Sequence, residues 1–249
     1  MMRALILGGT SDANLLADAA ARAGLDAIYS YAGRTRAPIS QSLPSRVGGF
    51  GGANGLAEYV RREGITHVVD ATHPFAAEIS SNAVAACEAT GTPLIALERA
   101  PWAKAAGDNW IEVADITSAA AALPENRARV FLAIGRRHIA AFSIKPQHTY
   151  TLRFVDPPDG PLPFPDVDVI VSRGPFNLAG ELEMMRARGI EWIVARNSGG
   201  TGARAKIDAA RELGLRIVML TRPELPERPR AESVAEVMQW LGHRACLGA

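Results

Sequence analysis

Residues Arg3 to Leu7 form a short apolar run that passes through Gly8-Gly9 into Thr10-Ser11-Asp12 and then into a stretch of helical spacing. A strand that feeds a glycine turn and opens directly into a helix constrains the fold more than any other feature of this chain. It is the first unit of a parallel, doubly wound sheet. Glycines let the turn close and let backbone N–H groups approach a ligand with no Cβ in the way. The helix start offers unpaired N–H groups and the positive end of its dipole, which suits a pyrophosphate. Thr10, Ser11 and Asp12 are all N-cap residue types. The run departs from the G-x-G-x-x-G pattern, because Gly8 and Gly9 are adjacent and Ala13 stands near the place of the third glycine. Gly8, Gly9, Thr10 and Ser11 are therefore the candidate pyrophosphate residues.

The alternation continues along the chain. Helical spacing over 15–23 closes at Gly24, and a strand over 26–31 follows. Further on, a helix over 56–62 ends at Gly64, a strand spans 66–70, and a helix over 77–90 is capped by Gly91 before a strand over 92–97. From 98 to 115 the pattern loosens, which marks a crossing between two lobes. The second half reads as a helix over 117–123 and strands over 130–134, 150–154, 167–171, 191–195 and 215–220, with an amphipathic run to Phe142, a helix running to Arg188 and a helix over 203–213 between them. A final helix over 233–242 carries Val234, Val237, Met238 and Leu241 on one stripe. The expectation is an α/β fold of two Rossmann-like lobes with mainly parallel sheets and a cleft between them, divided into residues 1–112 and 113–249.

The end of the second strand discriminates between dinucleotides. An acid there, about 20 residues after the glycines, holds the ribose 2′-hydroxyl of NAD. Here Gly33-Arg34-Thr35-Arg36 occupies the place. A guanidinium matches a phosphate with a fork of donors, so NADP(H) fits better than NAD(H), with Arg34 and Thr35 on the 2′-phosphate. The glycines of Gly48-Gly49-Phe50-Gly51-Gly52 permit close approach to a ligand, and Gly51 and Gly52 are assigned to the cofactor. In Asp70-Ala71-Thr72-His73-Pro74-Phe75-Ala76, His73 stands at a strand's carboxyl end, held out of the helical region by the proline. Thr72 and His73 are assigned beside the cofactor.

Charge is divided unevenly. The formal net charge of +1 argues against nucleic-acid binding by overall charge. Residues 1–124 carry nine Lys/Arg against twelve Asp/Glu, whereas residues 125–230 carry seventeen against twelve. In the second half, turns that follow strands carry Arg136, Arg137, Arg173, Arg196, Arg204 and Lys206. Parallel strands would gather these at one sheet edge, facing a ligand with several carboxylates or phosphates. Cys87 and Cys246 are far apart and form no C-x-x-C, which points to a reducing cytoplasm and to no metal site. No apolar run approaches a membrane span.

Taken together and in this order, Gly8-Gly9-Thr10-Ser11-Asp12, Asp70 to Ala76, Gly135-Arg136, and Asn197-Ser198-Gly199-Gly200 with Lys206 resemble the precorrin-6A reductase family of cobalamin biosynthesis. The resemblance covers nearly the whole chain. It implies a two-lobed enzyme without metal or flavin that uses NADPH to reduce one double bond of a corrin precursor, at carbons 18 and 19. Ala13-Asn14 departs from it, standing where a glycine is expected. A precorrin carries many carboxylates, for which Arg136, Arg137, Arg173, Asn197, Ser198, Gly199 and Lys206 are the candidate partners. His73 is the candidate proton donor, with solvent as the alternative. The implied partner is the tetrapyrrole alone, with no nucleic acid and no membrane, and a monomer is expected.

Rival classes lack their residues. A short-chain dehydrogenase or epimerase needs a tyrosine four residues before a lysine. Four residues after Tyr29, Tyr31, Tyr59 and Tyr150 stand Gly33, Thr35, Glu63 and Phe154. A P-loop nucleotidase needs a Gly-Lys pair, which is absent. A non-enzymatic NADP(H)-sensing protein and a cobalt-containing form of the ring remain as alternatives.

Overall fold

The computed structural model describes residues 2–32, 40–158 and 160–247. The chain forms two compact units, residues 1–100 with 223–249, and residues 101–222.

The first unit opens with β1 (Ala4–Leu7), α1 (Ser11–Arg22), β2 (Ala27–Tyr31), β3 (Ser45–Val47), α2 (Gly52–Arg62), β4 (His67–Asp70), α3 (Ala77–Thr90) and β5 (Leu94–Leu97). Its strands pair in parallel in the order β5-β4-β1-β2-β3. The side-chain period of two divides β1 between two cores. Ala4 and Ile6 face Leu16, Ala17 and Ala20 of α1, while Leu5 and Leu7 face Leu56 and Val60 of α2 and Ala83 and Cys87 of α3. Covered on both faces, such a strand reads as continuous apolar sequence rather than as alternation.

The second unit contains β6 (Asn109–Val113), α4 (Ile116–Ala121), β7 (Arg129–Ala133), a 3-10 helix (Arg136–Ile144), β8 (Thr149–Phe154), β9 (Val167–Val171), α5 (Leu178–Ala187), β10 (Trp192–Arg196), α6 (Ala205–Glu212) and β11 (Arg216–Leu220). Its sheet is parallel throughout, in the order β6-β11-β10-β7-β8-β9. Met185 of α5 and Ile207 and Ala210 of α6 pack on Phe131, Ile193, Ala195, Ile217 and Met219.

After Arg222 the chain returns to the first unit. β12 (Arg230–Ala231) pairs in parallel with β5, and α7 (Val234–Leu247) lies against α1. Val237 and Leu241 are fully buried in the core that holds Ile6 and Leu16.

The division therefore differs from one at 112/113. Residues 109–113 form a strand of the second sheet, because Asn109–Val113 pairs with Arg216–Leu220, a partner a hundred residues downstream. The final helix belongs with the N-terminal sheet, because its apolar stripe finds its complement on α1. Neither pairing leaves a local signal, since both are set by tertiary contact. Among the described residues no helix is long and apolar enough to cross a membrane.

Leu241→Ala should destabilise the first unit by about 2–5 kcal/mol, the usual cost of a buried Leu truncation. Hydrogen exchange should show protection lost in β1 and α1. Loss confined to the second unit would contradict this placement of α7.

Candidate functional site

An open parallel sheet binds ligands at its carboxyl edge, where the strand order reverses. In the first sheet the reversal lies between β1 and β4, and in the second between β7 and β10.

The loops after β1 and β4 are Gly8–Thr10 and Ala71–Ala76. Tyr29 of β2 supports the first. A Cβ on Gly8 would stand 2.1 Å from the Tyr29 Cζ, so only glycine fits over the ring. The Tyr29 hydroxyl accepts the Gly9 N–H at 2.8 Å and donates to Asn14 Oδ1 at 2.8 Å. Burial pushes this phenol up to about 12, so it stays protonated and keeps donating. Ala13 is fully buried, and Asn14 also accepts from Gln41 Nε2 at 3.1 Å. A small residue plus a hydrogen-bonded amide thus replaces the expected glycine. Thr10 caps α1, accepting the Ala13 N–H at 3.1 Å and donating to the Ala71 carbonyl at 2.9 Å, which ties the two loops together.

The Gly9 amide and the Thr10 hydroxyl are so occupied, whereas the first-turn amides of Ser11 and Asp12 have no intrahelical acceptor. The Asp12 carboxylate, adverse to an anion there, is paired with Arg99 Nη1 at 2.6 Å. Across the reversal, Asp70 Oδ1 accepts both the Thr72 N–H at 3.2 Å and the Thr72 hydroxyl at 2.6 Å. His73 is half-buried, and its Nδ1 accepts the Phe75 N–H at 3.2 Å, which puts the proton of the neutral ring on Nε2. Gly51 and Gly52 start α2 with φ of +82° and +87° and with no side-chain cap, leaving that helix end bare. Arg46 of β3 braces the glycine loop, donating to the carbonyls of Gly48 at 2.9 Å and Gly49 at 3.1 Å and stacking 4.0 Å from the Phe50 ring. Arg34 and Thr35 lie outside the described residues.

The second edge carries the basic turns. Arg136 and Arg137, exposed, open the 3-10 helix after β7. Arg196 reaches across from β10, its Nη1 lying 3.7 Å from where a Cβ of Gly135 would be. Arg173, exposed after β9, lies 3.9 Å from Asp156. The turn Asn197–Gly200 is built differently from a ligand loop of free side chains. Asn197 Oδ1 accepts the Trp102 N–H at 2.7 Å, and its Nδ2 donates to the Trp102 carbonyl at 2.8 Å. The Trp102 indole N–H donates to the Gly200 carbonyl at 2.7 Å. Arg222 donates to the carbonyls of Asn197 at 3.1 Å and Ser198 at 3.2 Å. Ser198 and Gly199 are buried within this turn. The Asn197 amide therefore holds Trp102.

Beside it is a cavity of about 230 Å³ lined by Phe131, Arg153, Phe176, Glu181, Ala203 and Lys206, among others. Arg153, on β8, donates to both oxygens of Glu181, at 2.5 and 3.1 Å. Its guanidinium lies 4.1 Å from the Phe176 ring and 5.0 Å from that of Phe131. Glu181 is 2% exposed. Lys206 donates to the Ala203 carbonyl at 2.8 Å, with its Nζ 5.4 Å from the Trp102 ring. Burial pushes the Lys206 ammonium down to about 8, the Glu181 carboxylate holds it up and Arg153 lowers it further. Lys206 follows a glycine turn and stands out in the sequence, whereas Arg153 and Glu181, which line the same cavity, each sit inside a regular element, away from such turns.

Two parallel sheets, in each of which the strand order reverses once, define a doubly wound α/β protein of the Rossmann-like class. The chain matches, over residues 3–242, the family described as precorrin-6x reductase CbiJ/CobK, and it belongs to that family. It is 54% identical over 241 residues to the precorrin-6A reductase of Rhodobacter capsulatus, covering 97% of this chain and 96% of that one. It is 31% identical over 232 residues to the cobalt-precorrin-6A reductase of Priestia megaterium, covering 89% and 91%. A solved structure of a CobK precorrin-6A reductase superposes with a TM-score of 0.95 at 54% identity, covering 98% of this chain and 97% of the other.

Asn197→Ala should cost about 1–3 kcal/mol, because it leaves the buried Trp102 amide and carbonyl unpaired. Denaturant unfolding of the variant checks this. An unchanged midpoint would show that the amide is not what holds Trp102.

Proposed function

We propose that this chain reduces one double bond of precorrin-6A with NADPH, as a step of cobalamin biosynthesis. The observation that carries the reading is 54% identity over nearly the full length to a precorrin-6A reductase. The cobalt-free ring is favoured over the cobalt-containing one, because relatives named for the former reach 54% and 46%, against 31% for the latter.

The residues present fit a dinucleotide on the first sheet. Gly9 is open, with nothing within 4 Å of a Cβ built on it, and the positive end of α1 begins two residues later. Ser11 and Asp12 amides would take the pyrophosphate, the bare start of α2 at Gly51-Gly52 and the Thr72-His73 turn would flank it, and Arg34 with Thr35 would take the 2′-phosphate. When bound, NADPH supplies the hydride. The chain's own contribution is to hold the acceptor ring in place, and positioning of this kind dominates such transfers. Arg136, Arg137, Arg173 and Lys206 on the second edge are the cations for the ring's carboxylates, joined by Arg153, which lines the same cavity as Lys206. The reading places the protein in the cytoplasm as a monomer, since one chain supplies both edges.

Arg34→Ala should raise the KM for NADPH about tenfold or more while leaving NADH nearly unaffected, as loss of a charge-assisted contact would. Equal losses for both dinucleotides would remove Arg34 from the 2′-phosphate. Lys206→Ala should raise the KM for precorrin-6A about tenfold with the KM for NADPH unchanged. An unaltered KM for the ring would take Lys206 out of the site.

A further inference from the structure

A cavity meant for part of a polyanion should hold cations, yet one of its walls is a fully buried carboxylate. Glu181, 2% exposed, sits on α5 and aims at the guanidinium of Arg153 on β8 with both oxygens. Bidentate pairing fixes the guanidinium plane, and the rings of Phe176 and Phe131 hold its faces. Arg153 Nε is buried with no hydrogen-bond partner among the described residues, so the pair leaves donor capacity unsatisfied. The third charged group is Lys206 on α6, the helix that packs against α5. The other lining residues, from β7, the loop after β9 and the start of α6, are apolar or glycine.

Two cations against one carboxylate leave the cavity with a single net positive charge. Its volume, about 230 Å³, is below that of pockets that enclose a whole ligand of drug size, and suits one short side arm. We propose that Glu181 is a positioning residue for substrate recognition, whose carboxylate fixes the Arg153 fork and offsets its charge, so that the cavity is a socket for one carboxylate arm of the substrate. The proposal rests on the reading that precorrin-6A is the substrate, and it deepens that reading by naming what sets the charge of one subsite.

A pH consequence follows from the three groups that face one another, Lys206, Glu181 and Arg153. Lys206 is charged below its value of about 8 and neutral above it. Affinity for a carboxylate arm is therefore full at neutral pH and falls as pH rises through about 8. Removing the Glu181 charge takes away the group that holds the ammonium up and leaves Arg153, which lowers it, so the fall moves to lower pH.

The test is optical titration of each protein with precorrin-6A, without NADPH, from pH 6 to 10. Wild type should lose affinity above about 8. In Glu181→Gln the break should move down by about one pH unit, the usual effect of losing a close opposite charge. In Lys206→Arg, which stays charged throughout, this break should vanish. Glu181→Asp, whose carboxylate is withdrawn by one methylene, should give a smaller downward shift and supplies a folded comparison if the Gln variant does not accumulate. A folded Glu181 variant whose break and neutral-pH affinity match wild type overturns the proposal, even where its melting temperature has dropped. Failure of wild type itself to bind precorrin-6A at any pH overturns the underlying substrate reading instead, so the two failures are distinguishable.

Discussion

Two parallel strands can be joined only by a crossover that carries the chain back to the amino edge, so every loop that follows a strand is delivered to the opposite edge. Everything functional in this chain depends on that constraint. Where the strand order reverses, successive crossovers leave on opposite faces and their loops part. In the first sheet α1 covers the face of Ala4 and Ile6, whereas α2 and α3 cover that of Leu5 and Leu7. The parting therefore falls between Gly8–Thr10 and Ala71–His73. The second sheet repeats the arrangement between β7 and β10, with Gly135–Arg137 and Asn197–Gly200 as the flanking turns.

A gap between loops binds nothing well unless its walls are rigid, and the polar residues of these turns supply the rigidity. Thr10 bridges from the cap of α1 to the Ala71 carbonyl. Asp70 holds Thr72 through both its amide and its hydroxyl. Arg228, in the segment that returns to the first unit, lies 3.8 Å from Asp70 and 3.1 Å from Glu98, so the loop after β4 is anchored by a residue more than 150 positions downstream. In the second unit, Asn197 and Arg222 do the same for the turn after β10. Such side chains look like ligand groups in a sequence because they are polar, close to glycine and at strand ends. Thr10, Asn197 and Arg222 bond backbone atoms, and Arg228 faces carboxylates, that sequence alone does not bring near.

What could be read from the sequence follows from the range of the interactions involved. The strand–turn–helix opening, the helix over 77–90 and the parallel α/β class depend on local periodicity and caps, and the structure has them: α3 spans Ala77–Thr90 and Gly91 closes it with φ of +66°. β6 and β12 escaped because each takes its identity from a distant partner. At the sites, residues at strand ends were legible as candidates, since a parallel sheet sends them all to one edge. Arg153 and Glu181 were not. An arginine inside β8 and a glutamate inside α5 read as ordinary members of their elements, until the packing of α5 on α6 and on the sheet brings them together.

The same distinction corrects the argument from charge. A surplus of basic residues between 125 and 230 suggested a cationic rim, yet much of it is already matched. Arg127 pairs with Asp166 at 2.6 Å, Arg188 with Asp168 at 2.5 Å and Arg211 with Asp108 at 2.9 Å. Arg222 is directed at carbonyls, and Arg228 lies in the first unit. Regional net charge is thus a weak guide to a polyanion site, because long-range steering and local pairing draw on the same residues. What identifies a binding cation is whether its surroundings hold it in one orientation while leaving charge uncompensated. Exposed Arg173, which already lies 3.9 Å from Asp156, does not meet the second condition. Arg153 meets the first through Glu181, and Lys206 beside it restores the second, so the cavity combines a fixed fork with one unmatched charge. In the proposed socket, the buried Glu181 carboxylate would serve discrimination, since a guanidinium already aligned loses less freedom when a second carboxylate arrives.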